Sequence, residues 1–565
     1  MIPRADALAA LEREYFDLLV VGGGITGAGV ALDAASRGFS VGLVEKSDFA
    51  AGTSGRSSKL IHGGLRHLQK LDLGLVREAL SERSLMVKLA PHLVKPLPLL
   101  VASFDGKRPD RRTGVGLNLY DVMARRRGRD GDEPWSPARH RTVDGTEAVE
   151  LAPALADRKP TAAYLFYDCQ ADDARLVLSV LSEAERFGAV VANRCEATGL
   201  IEADGRAAGA FVHDAESDAT FEVSASSVVN ATGVWADRLQ PAERVVPHIR
   251  PSRGTHVTVP RALLPVEAGV IVPAAGGRTI FVQPWLGRTL VGTTDAEYAG
   301  GLDHVPSGER DVTYLLQAVN AFFGARLAPD DLSGAFAGVR PLISAGDSEK
   351  FVDISRRAEL FESDSGLVTI TGGKLTTWRR MAKLAVDRIV ARQGGEAQCR
   401  THEIQIGLPE EASALPDVPG IDEGSRVHLA ARYGHEARAV MRLAAAAPHL
   451  SRPISPDLPD LAAEAAFAAA HEQARSLGDV LLRRTRLGVL DARRMADPQD
   501  EGVMLAARAM AGELGWDGAR VEREVAAWGE EARLEALVPV GARPVTGDRG
   551  ADVQLHGGAA PEEAA

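Results

Sequence analysis

Three closely spaced glycines carry the first chemistry legible in this sequence. Gly22-x-Gly24-x-x-Gly27 follows an apolar run at 16–21 (FDLLVV) and leads into a helical stretch at 30–37. Glu45 ends the next apolar run, 41–45 (VGLVE), 23 residues after Gly22. In that context the first glycine permits a sharp turn, the second lets a pyrophosphate approach the backbone, and the third lets helix and strand pack closely. Amides at the helix N-terminus would hold the phosphates. Glu45 can accept hydrogen bonds from both adenosine-ribose hydroxyls and would repel a 2′-phosphate. The pattern is that of a dinucleotide site.

A second glycine turn narrows the choice of dinucleotide. Thr371-Gly372-Gly373-Lys374 lies between a strand-like run (367–371, LVTIT) and a helical run (375–390). A helix N-terminus there can stabilise negative charge on a flavin ring, a feature a nicotinamide enzyme does not need. FAD is therefore expected, held without a covalent link. Ala231-Thr232-Gly233, after the run 226–230 (SSVVN), reads as another strand end of the same sheet.

These motifs require a doubly wound α/β domain to position them. The stretch 245–345 is rich in Val, Thr and Gly, with strand-like pieces at 256–259, 279–282 and 289–292, and predicts an inserted antiparallel sheet. The expected organisation is an oxidoreductase domain over 15–398. Its FAD-binding segments fall at about 15–100, 170–240 and 345–395, interleaved with substrate segments at about 100–170 and 245–345. A Pro-rich stretch at 409–424 precedes Ala-rich helical patterns, predicting a C-terminal helical domain over 400–540 and a disordered tail at 544–565.

Composition bounds the function. The 565 residues are 45% hydrophobic and 25% charged, as in an ordinary globular protein, while 57 glycines imply many tight turns. A net charge of −12 argues against nucleic acid as a general partner. Three dispersed cysteines, Cys169, Cys195 and Cys399, support neither a disulfide framework nor a metal site. Residues 1–15 carry no secretory pattern, and the most apolar run, 96–104, is far below the ~18 residues of a membrane span. A cytoplasmic protein, soluble or peripheral, is expected.

Six segments in order resemble the FAD-dependent glycerol-3-phosphate dehydrogenase family. They are VGGGITGAGVALDAASRG (21–38), SSKLIHGGLR (57–66), DDARL (172–176), GTTD (292–295), GVRP (338–341) and GGKLTT (372–377). LLRRTRLG (481–488) resembles that family's C-terminal helical domain. His67 and Trp378 stand where the family usually has Tyr. The resemblance implies oxidation of sn-glycerol 3-phosphate to dihydroxyacetone phosphate, with electrons passing through FAD to a membrane quinone. It also implies a homodimer, peripheral on the inner face of the membrane. An oxygen-using glycerol-3-phosphate oxidase and a non-catalytic flavin-binding protein are the alternatives.

By the same resemblance, Arg66, Arg340, Arg356 and Lys374 are the cations for a phosphate, with His67 beside them; Arg357 is an alternative to Arg356. Arg forks suit bidentate phosphate binding. His256, in GTHVTV (254–259), is the candidate base, because an ordinary imidazole titrates near neutrality. Arg340 would assist by stabilising the forming alkoxide. His62 is expected to pack at the flavin, and Ser54, Ser57, Ser58 and Lys59 to line the cofactor.

Between residues 104 and 141 ten basic residues outnumber six acidic ones, and 115–123 (VGLNLYDVM) has an apolar helical face. Such a patch suits an anionic membrane. A solvated loop with an ordinary helix is the plainer reading, and the family resemblance favours the membrane.

Overall fold

The computed structural model describes residues 1–65, 72–124, 137–239, 248–344 and 358–539. Its nucleotide-binding layer is a six-stranded sheet in the order Ala358–Glu362, Val368–Gly372, Val228–Asn230, Leu18–Val21, Val41–Val44 and Val190–Ala192. All neighbours run parallel except the outer pair, Ala358–Glu362 with Val368–Gly372. Every residue of Leu18–Val21 and Val41–Val44 is buried, which is why both read as continuous apolar runs. The chain leaves Leu18–Val21 toward one neighbour, Val41–Val44, while its other neighbour, Val228–Asn230, arrives much later. The crevice beyond its C-terminal end is thus a topological switch point.

Helix Ile25–Ser36 covers this sheet and packs against Asp173–Arg186 and Trp378–Arg392. Close approach to the last depends on Gly29, where any Cβ would overlap the indole of Trp378. Trp378 is fully buried and its Nε1 donates to Met86 Sδ at 3.0 Å. This departure from the usual family residue therefore belongs to the core rather than to a ligand contact.

The inserted sheet is larger than the sequence suggested. Among the described residues it has ten strands, running through Ala296–Glu297, His248–Pro260, Arg288–Gly292, Arg278–Trp285, Gly269–Ala274, Val94–Ser103, Ala162–Ala171 and Leu60–Ile61, with Gly334–Ser344 and Arg141–Asp144 paired off that path. It is not purely antiparallel, since Gly269–Ala274 pairs in parallel with Val94–Ser103. Val94–Ser103, assigned by sequence mostly to a nucleotide-binding segment, belongs here. A separate four-stranded sheet, Tyr15–Phe16, Ala219–Ala225, Arg206–Asp214 and Cys195–Ala203, went unanticipated.

The C-terminal region is helical as expected, with Glu423–Tyr433, Ala437–Ala446, Ala462–His471, Glu501–Leu514 and Gly518–Leu534 enclosing an Ala- and Leu-rich core. A π-helical turn, Asp479–Arg484, faces the nucleotide-binding layer. Ion pairs cross that boundary, buried between Arg483 and Arg484 with Asp48 and between Arg175 and Glu472, and half-buried between Arg194 and Asp479 and between Arg56 and Glu535. Removing one partner of such a pair is costly, so the pairs specify one docking geometry. His428, Asp460 and Glu464 lie together in this domain, but Arg432 donates to both carboxylates, which makes the group a charge-balanced cluster.

Candidate active site

The glycine turn forms a cradle at the switch point. Gly22 has φ +114°, and a Cβ there would lie 2.7 Å from Ala231 O. A Cβ on Gly27 would overlap the Gly22 carbonyl. Ser54 Oγ accepts the Ile25 N–H at 2.9 Å, capping the first turn of helix Ile25–Ser36, and would sit 3.0 Å from a Cβ on Gly24. Glu45 accepts the Gly23 and Ser47 amides at 2.7 and 2.8 Å. Burial pushes its carboxyl above the usual range against the pull of these two amides.

The other glycine turns converge on the same edge. Gly233 (φ +63°) accepts the Thr371 hydroxyl at 3.1 Å, joining two strand ends. Gly372 and Gly373 have φ of +77° and +70°, and Lys374 leads into the turn Leu375–Thr377 before helix Trp378–Arg392. The His62 amide donates to Thr376 Oγ1 at 3.1 Å, tying the HGG segment to this turn. Gly63 donates to Tyr120 Oη at 2.8 Å, and that hydroxyl donates to Asp168 at 2.7 Å. Asp168 is paired with Arg83. Tyr120, Asp168 and Arg83 were not singled out by sequence, because they lie on three separated elements that meet only in the fold.

His256 and Arg340 meet on one face of the large sheet. His256 opposes Gly292 on one neighbouring strand and Phe336 on the other; Arg340 opposes Ser252, and residues 252, 254 and 256 share a face. Two glycines make the space. A Cβ on Gly292 would overlap the His256 ring, and one on Gly254 would press on the Arg340 guanidinium. The ring stacks on Phe336 with centroids 4.8 Å apart and planes 8° apart. Arg340 Nη2 donates to Thr293 Oγ1 at 3.2 Å and the Thr294 carbonyl at 3.3 Å, and Nη1 donates to Asp295 at 3.4 Å. The GTTD segment thus aims the guanidinium.

Three expectations need correction. His256 is only 2% exposed, and burial, then the Lys59 and Arg340 cations, hold its pKa well below the ordinary value. Ser58 does not face a cofactor alone, because its Oγ shares a 2.8 Å hydrogen bond with His256 Nε2. Lys59 is 1% exposed and bonds to both oxygens of Asp173 at 2.8 Å and to the Gly55 carbonyl at 2.9 Å, so its ammonium is committed to a buried pair. Its pKa is lowered to about 8, mainly by burial. Sequence spacing could not show this, since the partner lies 114 residues away. Arg66, His67, Arg356 and Arg357 lie outside the described residues.

Residues 17–388 match the family described as FAD dependent oxidoreductase, and residues 368–521 match the C-terminal domain of alpha-glycerophosphate oxidase. Glycerol-3-phosphate dehydrogenase 2 of Mycobacterium tuberculosis is 38% identical over 552 residues, covering 96% of this chain and 92% of its own. The chain belongs to the FAD-dependent glycerol-3-phosphate dehydrogenase family. A solved glycerol-3-phosphate dehydrogenase from Bacillus halodurans, complexed with FAD, superimposes with a TM-score of 0.72 at 28% identity, covering 96% of this chain and 99% of that one. L-alpha-glycerophosphate oxidase of Mycoplasma pneumoniae shares the fold over 69% of this chain and 97% of its own, with a TM-score of 0.52 at 18% identity.

As a member of this dehydrogenase family the protein is an FAD-dependent oxidoreductase, and its cradle fits that cofactor. At Gly22 and Gly27 a Cβ would close the turn, and the half-buried Glu45 carboxylate directly follows strand Val41–Val44, where a ribose is held in this motif.

Proposed function

We propose that the protein oxidises sn-glycerol 3-phosphate to dihydroxyacetone phosphate and delivers the electrons to a membrane quinone. The observation that carries this reading is the pairing of His256 and Arg340 on one sheet face, each seated in space left by a glycine. Gly22, Gly24, Gly27 and Glu45 would hold the adenosine and pyrophosphate parts of FAD, and Gly233, Gly372, Gly373 and His62 the flavin end, without a covalent link. FAD supplies the two-electron oxidant for the substrate C2–H bond. As that bond breaks with its electron pair, the C2 hydroxyl proton passes to His256 and the C2=O double bond forms. Burial and the Lys59 and Arg340 cations favour the neutral ring, which has a lone pair to take the proton, and make it a weaker base than an ordinary imidazole. Arg340 stabilises negative charge developing on the C2 oxygen. Arg66, Arg356 and Lys374, with His67 beside them, are assigned to the phosphate by resemblance.

Titration of the purified flavoprotein with substrate under anaerobic conditions tests this. The flavin absorbance is expected to bleach with sn-glycerol 3-phosphate and to stay unchanged with glycerol or amino acids. A flavin left oxidised by glycerol 3-phosphate would overturn the substrate assignment. Reoxidation should be at least about tenfold faster with a short-chain quinone than with air-saturated buffer, a gap in barrier of about 1.4 kcal/mol. The reverse order would establish the oxidase reading.

The membrane reading gains support from helix Arg111–Ala124. One face, Gly114, Leu117, Tyr120 and Ala124, is buried. A second apolar stripe, Val115, Leu119 and Val122, faces outward at 69%, 39% and 61% exposure, with Arg108, Arg111 and Arg112 exposed beside it. The apolar face seen in the sequence is therefore two faces, only one of which serves the core. Arg125, Arg126 and Arg127 lie outside the described residues. Among the described residues no helix is long and apolar enough to cross a membrane. Leu119→Asp combined with Val122→Asp is expected to weaken binding to anionic vesicles by about tenfold or more, since burial of each side chain is worth about 1.5–3 kcal/mol. Unchanged flotation would remove this helix from the membrane contact.

A further inference from the structure

Two segments singled out in the sequence, DDARL at 172–176 and LLRRTRLG at 481–488, have no part in the chemistry above, yet they meet behind His256. Asp173 is fully buried and collects donors from several directions. It accepts the Ser57 amide at 2.9 Å, the Ser57 hydroxyl at 2.7 Å, the Lys59 ammonium at 2.8 Å and the Ala174 amide at 2.9 Å. Arg486, from the C-terminal helical domain, completes the set. Its Nη2 pairs with Asp173 and, at 2.5 Å, with Asp172, and its Nη1 donates to the Gly55 carbonyl at 3.1 Å. A left-handed backbone at Arg486 (φ +68°), just after the π-helical turn, directs the side chain there.

Ser58 lies between the two residues that Asp173 holds. Ser57 Oγ also accepts the Lys59 amide at 3.0 Å, closing the turn, and the Ser58 carbonyl accepts Gln283 Nε2 at 2.8 Å. With its backbone clamped on three sides, Ser58 offers Oγ to His256 Nε2 at 2.8 Å. The ring's other nitrogen, Nδ1, is buried with no hydrogen-bond partner among the described residues. In a neutral imidazole one nitrogen carries the proton and the other accepts, and the partner of the first sets the choice. If Nε2–H donates to Ser58, the buried Nδ1 keeps its lone pair and is the one ring position left that can take a proton. The opposite tautomer would bury an unsatisfied N–H, at a cost of about 1–3 kcal/mol.

We propose that Arg486 is a positioning residue for proton removal: by holding Asp173 it fixes the turn 57–59 and, through Ser58, the orientation and tautomer of His256. The inference rests on the reading of His256 as proton acceptor. It gives the C-terminal domain a part in the reaction without contact with substrate. Lys59 adds a second line of support, its ammonium lying 4.9 Å from the centroid of the Phe336 ring on which His256 stacks.

Arg486→Met, made in the full-length flavoprotein, is the test. It is expected to slow anaerobic flavin bleaching by glycerol 3-phosphate about 10- to 100-fold, the size of effect a displaced catalytic group produces. The substrate dissociation constant should stay within about threefold, a split that marks lost transition-state stabilisation. Deuterium exchange over residues 55–61 should rise, and Arg486→Lys, which keeps the charge and loses the fork, should react at a rate between those of Arg486→Met and the parent. A bleaching rate within about twofold of the parent, with exchange over 55–61 unchanged, would overturn the proposal. So would a loss of rate accompanied by equal loss of substrate affinity and no local change in exchange. If Arg486→Met does not fold, Ser57→Ala removes hydrogen bonds of the same unit without removing a charge. It should slow bleaching about tenfold, and a parent-like rate would equally overturn the proposal. His256→Asn separates the two ideas. Parent-like bleaching by that variant defeats the base assignment itself, whereas a slow His256→Asn beside a parent-like Arg486→Met removes only the positioning role.

Discussion

Replacing His256 with alanine is expected to slow anaerobic flavin bleaching by sn-glycerol 3-phosphate about 10²- to 10⁴-fold, the usual contribution of a positioned proton acceptor. Flavin content should be retained, because the glycine cradle is built on the six-stranded sheet and His256 stands on the large one. The pH dependence follows from the environment of the ring. Burial disfavours the charged imidazolium most, and the Lys59 and Arg340 cations push the same way. The proton-accepting form therefore persists well below the ordinary value of 6.5. In the parent enzyme the bleaching rate constant should be flat from about pH 6.5 to 8 and fall only on acidification below that range. In His256→Ala this acid limb should vanish, and added imidazole should restore part of the rate. An acid limb that survives in His256→Ala would assign the titration to another group and end the case for His256.

The second large effect is expected at Gly27. A methyl group there would overlap the Gly22 carbonyl, so the turn must open before alanine fits. Opening displaces the backbone that would approach the pyrophosphate, and Gly27→Ala should purify with less than about a tenth of the parent's FAD. Added FAD should raise the melting temperature of parent apoprotein by mass action, and should leave that of the variant unchanged. Gly116→Ala is the control, since a Cβ on that helical residue meets nothing within 4 Å. It should keep full flavin and gain slightly in stability, by up to about 1 kcal/mol. Full FAD occupancy in Gly27→Ala would mean that helix Ile25–Ser36 can shift outward without disturbing the cradle.

Much of the nucleotide site was legible because its logic is local. Gly22, Gly24, Gly27 and Glu45 sit within one strand–helix–strand unit, where conformational freedom and buried apolar runs leave direct traces in the chain. Gly372 and Gly373 are legible for the same reason, a turn joining a strand to a helix. His256 was selected by residue type and family pattern, yet the sequence suggested an ordinary imidazole. Its low pKa comes from a sheet face, a stacked Phe336 and cations at positions 59 and 340, none adjacent in sequence.

The dinucleotide-binding unit, the order of the motifs and the helical character of residues 400–540 can be read from the chain alone, because short-range periodicity and turn chemistry encode such features. The roles of the long-range partners emerge only when the chain is folded. Lys59 looked like a cofactor contact and is a buried counter-ion of Asp173. Ser58 looked like another and is the partner of His256. The Arg-rich segment at 483–486 looked like part of a separate helical domain, and the fold brings it against Asp48, Asp172 and Asp173. The difference is one of scale. A buried charge must find an opposite charge wherever the chain supplies one, and here that partner lies between 114 and 436 residues away.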